Sequence, residues 1–167
     1  RVSTDLHSGG SLERWFPVGL MHDRLLFTLE FAVTGTEIDH SFLANGQVSA
    51  LAKNRWRVVY PAHATKLSPI FVVAPTEELA TSSRQVQLSP GEATVRVSAY
   101  AHQGTDPQFS HVLDTTRDTL EMMADAYGPY AHGDHLLVLV SSQDGGMEYD
   151  GAFITDTGPS TVAHEIV

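Results

Sequence analysis

Apolar and polar side chains alternate along the first hundred residues with the period of two that is typical of half-buried β-strands. The first such strand would carry on its apolar face Leu25, Phe27, Leu29, Phe31 and Val33. The alternation recurs at Trp56, Val58 and Tyr60, and again through Val95 and Val97, with a short apolar run at 70–73 between them. We therefore expect antiparallel β-structure, arranged as a curved sheet or sandwich.

Asn45-Gly46 lies between two further predicted segments, at 39–44 and 47–51. The pair readily adopts the positive φ angles of a tight β-hairpin, so it predicts a hairpin at this point.

The pattern changes near Tyr100, where apolar residues begin to recur at helical spacing. Asp106 is predicted to cap a helix with Pro107 in its first turn, and Gly128-Pro129 to end it. A buried strand is predicted at 136–140, a short one at 152–154, and then a final helix capped by Ser160 or Thr161. We place a domain boundary close to Ala99, giving a β-rich part at 1–99 and a second part at 100–167.

Composition narrows the possible functions. The 167 residues include ten Lys and Arg against twenty Asp and Glu, a formal net charge of −10 that disfavours nucleic acid as a partner. There is no cysteine, so a metal would be held by nitrogen and oxygen. No apolar run approaches the roughly 18 residues of a membrane-spanning helix. The sequence does not indicate a cellular compartment or an oligomeric state.

Two short motifs near the end of the chain carry the candidate chemistry. His164-Glu165 matches the start of HExxH, in which two histidines four apart face the same side of a helix and bind zinc. The sequence stops at Val167, one position before the second histidine. Upstream, the segment 145–149 reads Gly-Gly-Met-Glu-Tyr. In this order the motifs resemble those of the aminopeptidase N-type gluzincin family of zinc metallopeptidases.

The resemblance implies a fold and an activity. The fold would be mainly β, and α+β overall: an antiparallel β saddle or sandwich domain, followed by the first helix and strands of a thermolysin-like catalytic domain. The activity would be hydrolysis of N-terminal peptide bonds by metal-activated water. His164 would be the first zinc ligand and Glu165 the general base. The second histidine, a further glutamate ligand and an oxyanion-stabilising tyrosine would follow Val167, so we expect this piece to be inactive and not to bind Zn²⁺ tightly by itself.

The resemblance also implies how the substrate is bound. Gly145, Gly146 and Met147 would belong to an edge strand that approaches the peptide closely, with the glycines allowing that approach. Glu148 would bind the free α-amine of a peptide substrate, because a carboxylate makes charge-assisted hydrogen bonds with an ammonium group. Tyr149 replaces the asparagine common at that place in the family.

A weaker part of the resemblance is Arg14-Trp15-Phe16-Pro17, which is similar to a stretch before a strand in the family's N-terminal domain. His132 and His135 could be drawn as a separate metal site, although a glycine turn with two exposed imidazoles is the commoner explanation of their spacing. Two alternatives to an aminopeptidase stay open: a gluzincin endopeptidase, and a noncatalytic β-scaffold or interaction module with the same fold.

Overall fold

The structure is a computed structural model that describes residues 7–10, 23–24, 26–61, 64–65, 68–88, 94–102 and 107–166. The chain divides into two compact units, Arg1–Glu78 and Leu79–Val167. The Arg14-Trp15-Phe16-Pro17 stretch lies outside the described residues.

The strands of the described part of the first unit are β1 (His7–Gly10), β2 (Thr28–Ala32), β3 (His40–Ala44), β4 (Gln47–Ala52), β5 (Arg55–Val59) and β6 (Ile70–Pro75). They form two three-stranded antiparallel sheets, with the strand orders β1-β6-β3 and β2-β5-β4. A 3-10 turn at Thr76–Glu78 follows β6.

The first unit has an aromatic core, built as the alternation predicts. Trp56, Val58 and Tyr60 are buried, while their neighbours on β5 are exposed. Phe42 stacks on Trp56 with ring centroids 5.4 Å apart, and Phe31 lies against Phe42 at 4.7 Å. Such ring pairs stabilise a core beyond the apolar area that they bury.

The prediction of a hairpin at Asn45-Gly46 is wrong, because β3 and β4 belong to different sheets. The side chain of Asn45 instead connects to the start of β6, donating to the Ser68 carbonyl at 2.7 Å and accepting from the Ile70 amide at 3.0 Å. Gly46 is required by close packing: a Cβ there would lie 2.6 Å from Cγ2 of Val58. The segment is therefore a corner between two sheets.

The described elements of the second unit are β7 (Leu79–Gln87), β8 (Thr94–His102), α1 (Phe109–Tyr127), β9 (His135–Val140), β10 (Met147–Tyr149), β11 (Ala152–Thr155) and α2 (Pro159–His164). The five strands form one mixed sheet in the order β10-β11-β9-β8-β7. β8, β9 and β11 run parallel, whereas the edge strands β7 and β10 are antiparallel to their neighbours. The boundary expected near Ala99 falls inside β8, and the compact unit begins earlier because β7 pairs with β8 along its whole length.

Helix α1 begins later than expected. Its N-cap is Gln108, in the left-handed region at φ 38°, so Pro107 precedes the helix; Asp106 lies outside the described residues. The end agrees with the prediction: Gly128 has φ 99° and its amide donates to the Ala124 carbonyl at 2.9 Å. Glycine adopts this conformation without the steric cost of a side chain.

A mainly aliphatic core lies between α1, α2 and one face of this sheet. It includes Val97, Val112, Val138, Phe153 and Val162, all fully buried. The chain is thus mainly β with an α+β second unit, which confirms the predicted fold class. Neither of the two helices in the described residues is long and apolar enough to cross a membrane.

Candidate active site

The glycine-methionine-glutamate segment leads into β10, at the edge of the mixed sheet. Glu148 lies directly opposite Phe153 on β11. Side chains of directly opposed residues in an antiparallel pair project from the same face. Because Phe153 is buried in the core on the helix-covered face, Glu148 also projects from that face. Met147, next to it on β10, is 51% exposed.

Helix α2 carries the His-Glu motif and starts differently from the expectation. Its N-cap is Gly158 and Pro159 occupies the first turn, so Ser160 and Thr161 lie inside the helix and the predicted cap is wrong. Proline suits this position because the first helical amides have no partner within the helix. His164 is exposed in the last turn, and Glu165 follows as the C-cap, 8% exposed.

Gly146 lies directly against the side chain of Glu165. A Cβ at Gly146 would come within 2.5 Å of Oε1 and 2.6 Å of Cγ and Cδ of Glu165, closer than real Cβ contacts. The absent side chain therefore makes room for the Glu165 carboxyl. The resemblance explained this glycine by approach of the substrate, and the structure adds a contact within the chain.

The Glu165 carboxyl occupies unfavourable electrostatic surroundings. Burial raises its pKa above the ordinary glutamate value, and Glu148 raises it further by like-charge repulsion and a side-chain hydrogen bond. Asp156 has a smaller effect in the same direction, whereas His164 opposes it. Oε2 of Glu165 is buried and has no hydrogen-bond partner among the described residues. Buried polar atoms are nearly always paired in proteins, so an unpaired one indicates a place for a ligand, ion or water.

Asp156 is a member of this cluster that the sequence reasoning missed. Its Oδ2 accepts from the Gly145 amide at 2.9 Å, and its Oδ1 accepts from the Gly158 amide at 2.7 Å. These backbone hydrogen bonds lower the pKa of the Asp156 carboxyl. The signal in the sequence was Asp-Thr-Gly-Pro, because an aspartate commonly accepts from the amide two residues on and so forms a turn.

The structure thus brings four of the predicted site residues together: Gly146 packs against the side chain of Glu165, Glu148 acts on the Glu165 carboxyl, and His164 precedes Glu165 in the chain. Gly145 adjoins the cluster through Asp156. The described residues contain no group of three or more His, Cys, Asp or Glu that could hold a metal ion. His132 and His135 therefore belong to no such group in this part of the chain. The functional roles expected for the six site residues stay predictions.

A separate cavity opens on the other face of the sheet. It has a volume of about 480 Å³, and its lining includes Arg96, Ser98, Tyr100 and His135. The first three of these alternate along β8 with core residues such as Val97, which places them away from α1. None of the predicted site residues lines this cavity.

The fold has clear counterparts among solved structures. The M1 zinc metallopeptidase from Deinococcus radiodurans matches with a TM-score of 0.64 and 18% identity, over 87% of this chain and 33% of that one. The chain shares the fold of the part of that M1 zinc metallopeptidase that it matches. A mutant from the same organism, bound to a Tyr-Ser-Ala substrate, matches with a TM-score of 0.59 and 17% identity, over 84% of this chain and 31% of that one.

Aminopeptidase A from Legionella pneumophila, solved with aspartic acid, also matches, with a TM-score of 0.59 and 14% identity, over 75% of this chain and 17% of that one. The chain therefore spans a third or less of the length of these structures. No protein-family model matches the sequence, and no curated protein matches it either.

Proposed function

We propose that the chain is part of a zinc-dependent aminopeptidase. The observation that carries the proposal is the packing of Gly146 against the Glu165 side chain, which joins the two motifs from different elements beside His164. Glu148 and Asp156 both act on the Glu165 carboxyl, so the three acidic residues form one cluster. The shared fold with M1 zinc metallopeptidases supports the same assignment. A free amino terminus and a metal ion are both cations, and an acidic cluster favours both.

In this proposal Glu148 binds the α-ammonium group of a peptide. It projects from the edge strand on the helix-covered face, so a peptide lying along β10 would present its amino terminus to the carboxylate. A charge-assisted hydrogen bond is about twice as strong as a neutral one. This contact would select peptides with a free amino terminus over internal peptide bonds, which argues against the endopeptidase alternative.

The residues present fit the beginning of a zinc site. His164 offers a ring nitrogen in an exposed helical turn, and the neighbouring Glu165 has an unpaired oxygen. The complete ligand set would require residues after Val167. When bound, zinc would polarise the scissile carbonyl and lower the pKa of the attacking water. Glu165 would accept the proton of that water on its carboxylate and later deliver it to the leaving amine.

The test uses the full-length protein that contains this chain, loaded with zinc. Release of the N-terminal residue from short peptides is compared for the wild type, Glu165→Gln and Glu121→Gln. We expect Glu165→Gln to lose about 10² to 10⁴ in kcat, the usual contribution of a general base. Glu121→Gln is the matched control, since Glu121 lies on α1 and is not among the groups that act on Glu165.

A full-length wild type that releases no residue from any peptide would contradict the proposal and favour the noncatalytic scaffold. Equal activity of Glu165→Gln and the wild type would contradict the role of Glu165.

A further inference from the structure

The Asp156 carboxylate accepts backbone hydrogen bonds from both segments that carry the motifs. It lies in the connection between β11 and α2. One carboxylate oxygen accepts from Gly145, which begins the substrate-binding segment, and the other accepts from Gly158, which caps helix α2. Its own amide also donates to the Gly145 carbonyl at 3.1 Å.

Each carboxylate oxygen of Asp156 holds one glycine of the site in position. Gly145 adopts φ 94°, a conformation that side-chain-bearing residues rarely adopt, and its neighbour Gly146 lies against Glu165. At the other end, Gly158 is held at the first turn of the helix whose last turn carries His164. A Cβ at Gly158 would come 3.0 Å from Oδ1 of Asp156, so this connection is tightly packed.

We propose that Asp156 is a positioning residue that sets the separation between the Gly145–Glu148 segment and helix α2. It thereby fixes the place of Glu148 relative to His164 and Glu165. The expected change in KM rests on the proposed aminopeptidase function, whereas the structural role of Asp156 does not. Thr161 extends the same connection, because its side chain hydrogen-bonds to Asp156.

Asparagine cannot replace Asp156 in this role. Two backbone amides donate to two different oxygens of the side chain. An asparagine has one oxygen and an NH₂ group, so it would direct a donor at either Gly145 or Gly158. Asp156→Asn therefore breaks one contact with almost no change in shape. Asp144→Asn is the matched control, since Asp144 is exposed in the loop between β9 and β10 and adjoins Gly145.

The first measurement is amide hydrogen exchange at Gly145 and Gly158, by NMR, in this chain. A hydrogen bond to a charged group corresponds to roughly a ten- to hundredfold change in an equilibrium. We expect Asp156→Asn to speed exchange at one or both glycine amides by about tenfold or more, with Asp144→Asn unchanged. Exchange at Val138, in the core strand β9, reports whether the fold itself is retained. Unchanged exchange at both glycines would overturn the inference.

The second measurement is steady-state kinetics in the zinc-loaded full-length protein. Displacement of Glu148 weakens binding of the substrate's amino terminus, so Asp156→Asn should raise the KM for aminoacyl substrates about tenfold. A variant that is merely unstable would instead lose active protein, which lowers the apparent kcat and leaves KM unchanged. An unchanged KM in Asp156→Asn overturns the inference while leaving the aminopeptidase proposal intact. A wild type without aminopeptidase activity contradicts the proposed function, and the glycine exchange rates then test the structural role independently.

Discussion

Two glutamates in this chain occupy opposite electrostatic surroundings. Glu30, on β2, accepts hydrogen bonds from Arg55 at 2.9 Å and from Arg57 at 2.7 Å, and these lower its pKa. Glu165 faces Glu148 and Asp156, and burial and repulsion raise its pKa. No Lys or Arg is among the groups that act on Glu165 in the described part of the chain.

Under the proposed function, the difference separates a carboxylate that stabilises the fold from one that acts on a ligand. Cross-strand pairing places Glu30 directly opposite Arg57, so the sheet supplies its counter-charge. The groups that act on Glu165 in the described residues include no Lys or Arg, and His164 only partly opposes the rise in its pKa. An arrangement that disfavours the charged state of its own carboxyl is typical of functional sites. Under the proposed function, this position is occupied by a cation from outside the chain, either a metal ion or an ammonium group.

A large effect on activity is expected from Gly146→Ala. The new methyl group would overlap Glu165 from Cγ to Oε1, so the carboxyl must move. A displacement of about 1 Å at a catalytic group can lower activity about a hundredfold. We expect a loss of that order in kcat/KM for the full-length protein.

Gly133→Ala is the control for Gly146→Ala. Gly133 has φ 92°, and a Cβ added there would have no neighbouring atom within 4 Å, so alanine adds backbone strain without touching Glu165. We expect a stability loss of about 1 kcal/mol and normal activity. Equal activity losses in the two variants would mean that the Gly146 contact has no special role.

A smaller effect is expected for Glu165→Gln on the stability of this chain without zinc. The folded state raises the pKa of Glu165, so its ionised form opposes folding above the ordinary glutamate pKa of about 4.3. Glutamine should therefore raise the Tm by a few degrees near neutral pH, and the gain should vanish as the pH falls through that value. Circular dichroism melts at several pH values measure this. A lower Tm at neutral pH would show that the carboxylate is stabilised after all.

The smallest effect, of opposite sign, is expected for Glu30→Gln. The folded state lowers the pKa of Glu30, so its contribution is present above the ordinary value and lost as the pH falls. Because the ion pairs are exposed, we expect a slight decrease in Tm that disappears near 1 M salt, where the Debye length is about 3 Å. Tryptophan fluorescence follows this unit, since Trp15 and Trp56 both precede Leu79. A higher Tm for Glu30→Gln would remove the contrast with Glu165.

Local patterns predicted much of the fold. Alternation at Trp56, Val58 and Tyr60 identified a half-buried strand, because burial on one face of a strand leaves a period of two in the sequence. The hairpin predicted at Asn45-Gly46 was wrong, because the contacts of this pair are with Ser68, Ile70 and Val58, which lie in distant parts of the sequence. A turn dipeptide does not reveal that its flanking strands belong to different sheets.

The candidate site was predictable only where a motif described it. His164, Glu165 and Glu148 could be selected by their resemblance to a family. The contact of Gly146 with Glu165 and the double role of Asp156 could not, because both depend on how β10 packs beside α2. Side-chain hydrogen bonds across such a connection leave no periodic signal in the sequence.

The most direct test of the central claim compares two substrates in the zinc-loaded full-length protein, one with a free amino terminus and one with that terminus acetylated. If Glu148 binds the ammonium group, Glu148→Gln should lower kcat/KM for the free substrate about ten- to hundredfold and reduce the preference over the acetylated one by a similar factor. An undiminished preference in Glu148→Gln would contradict the account.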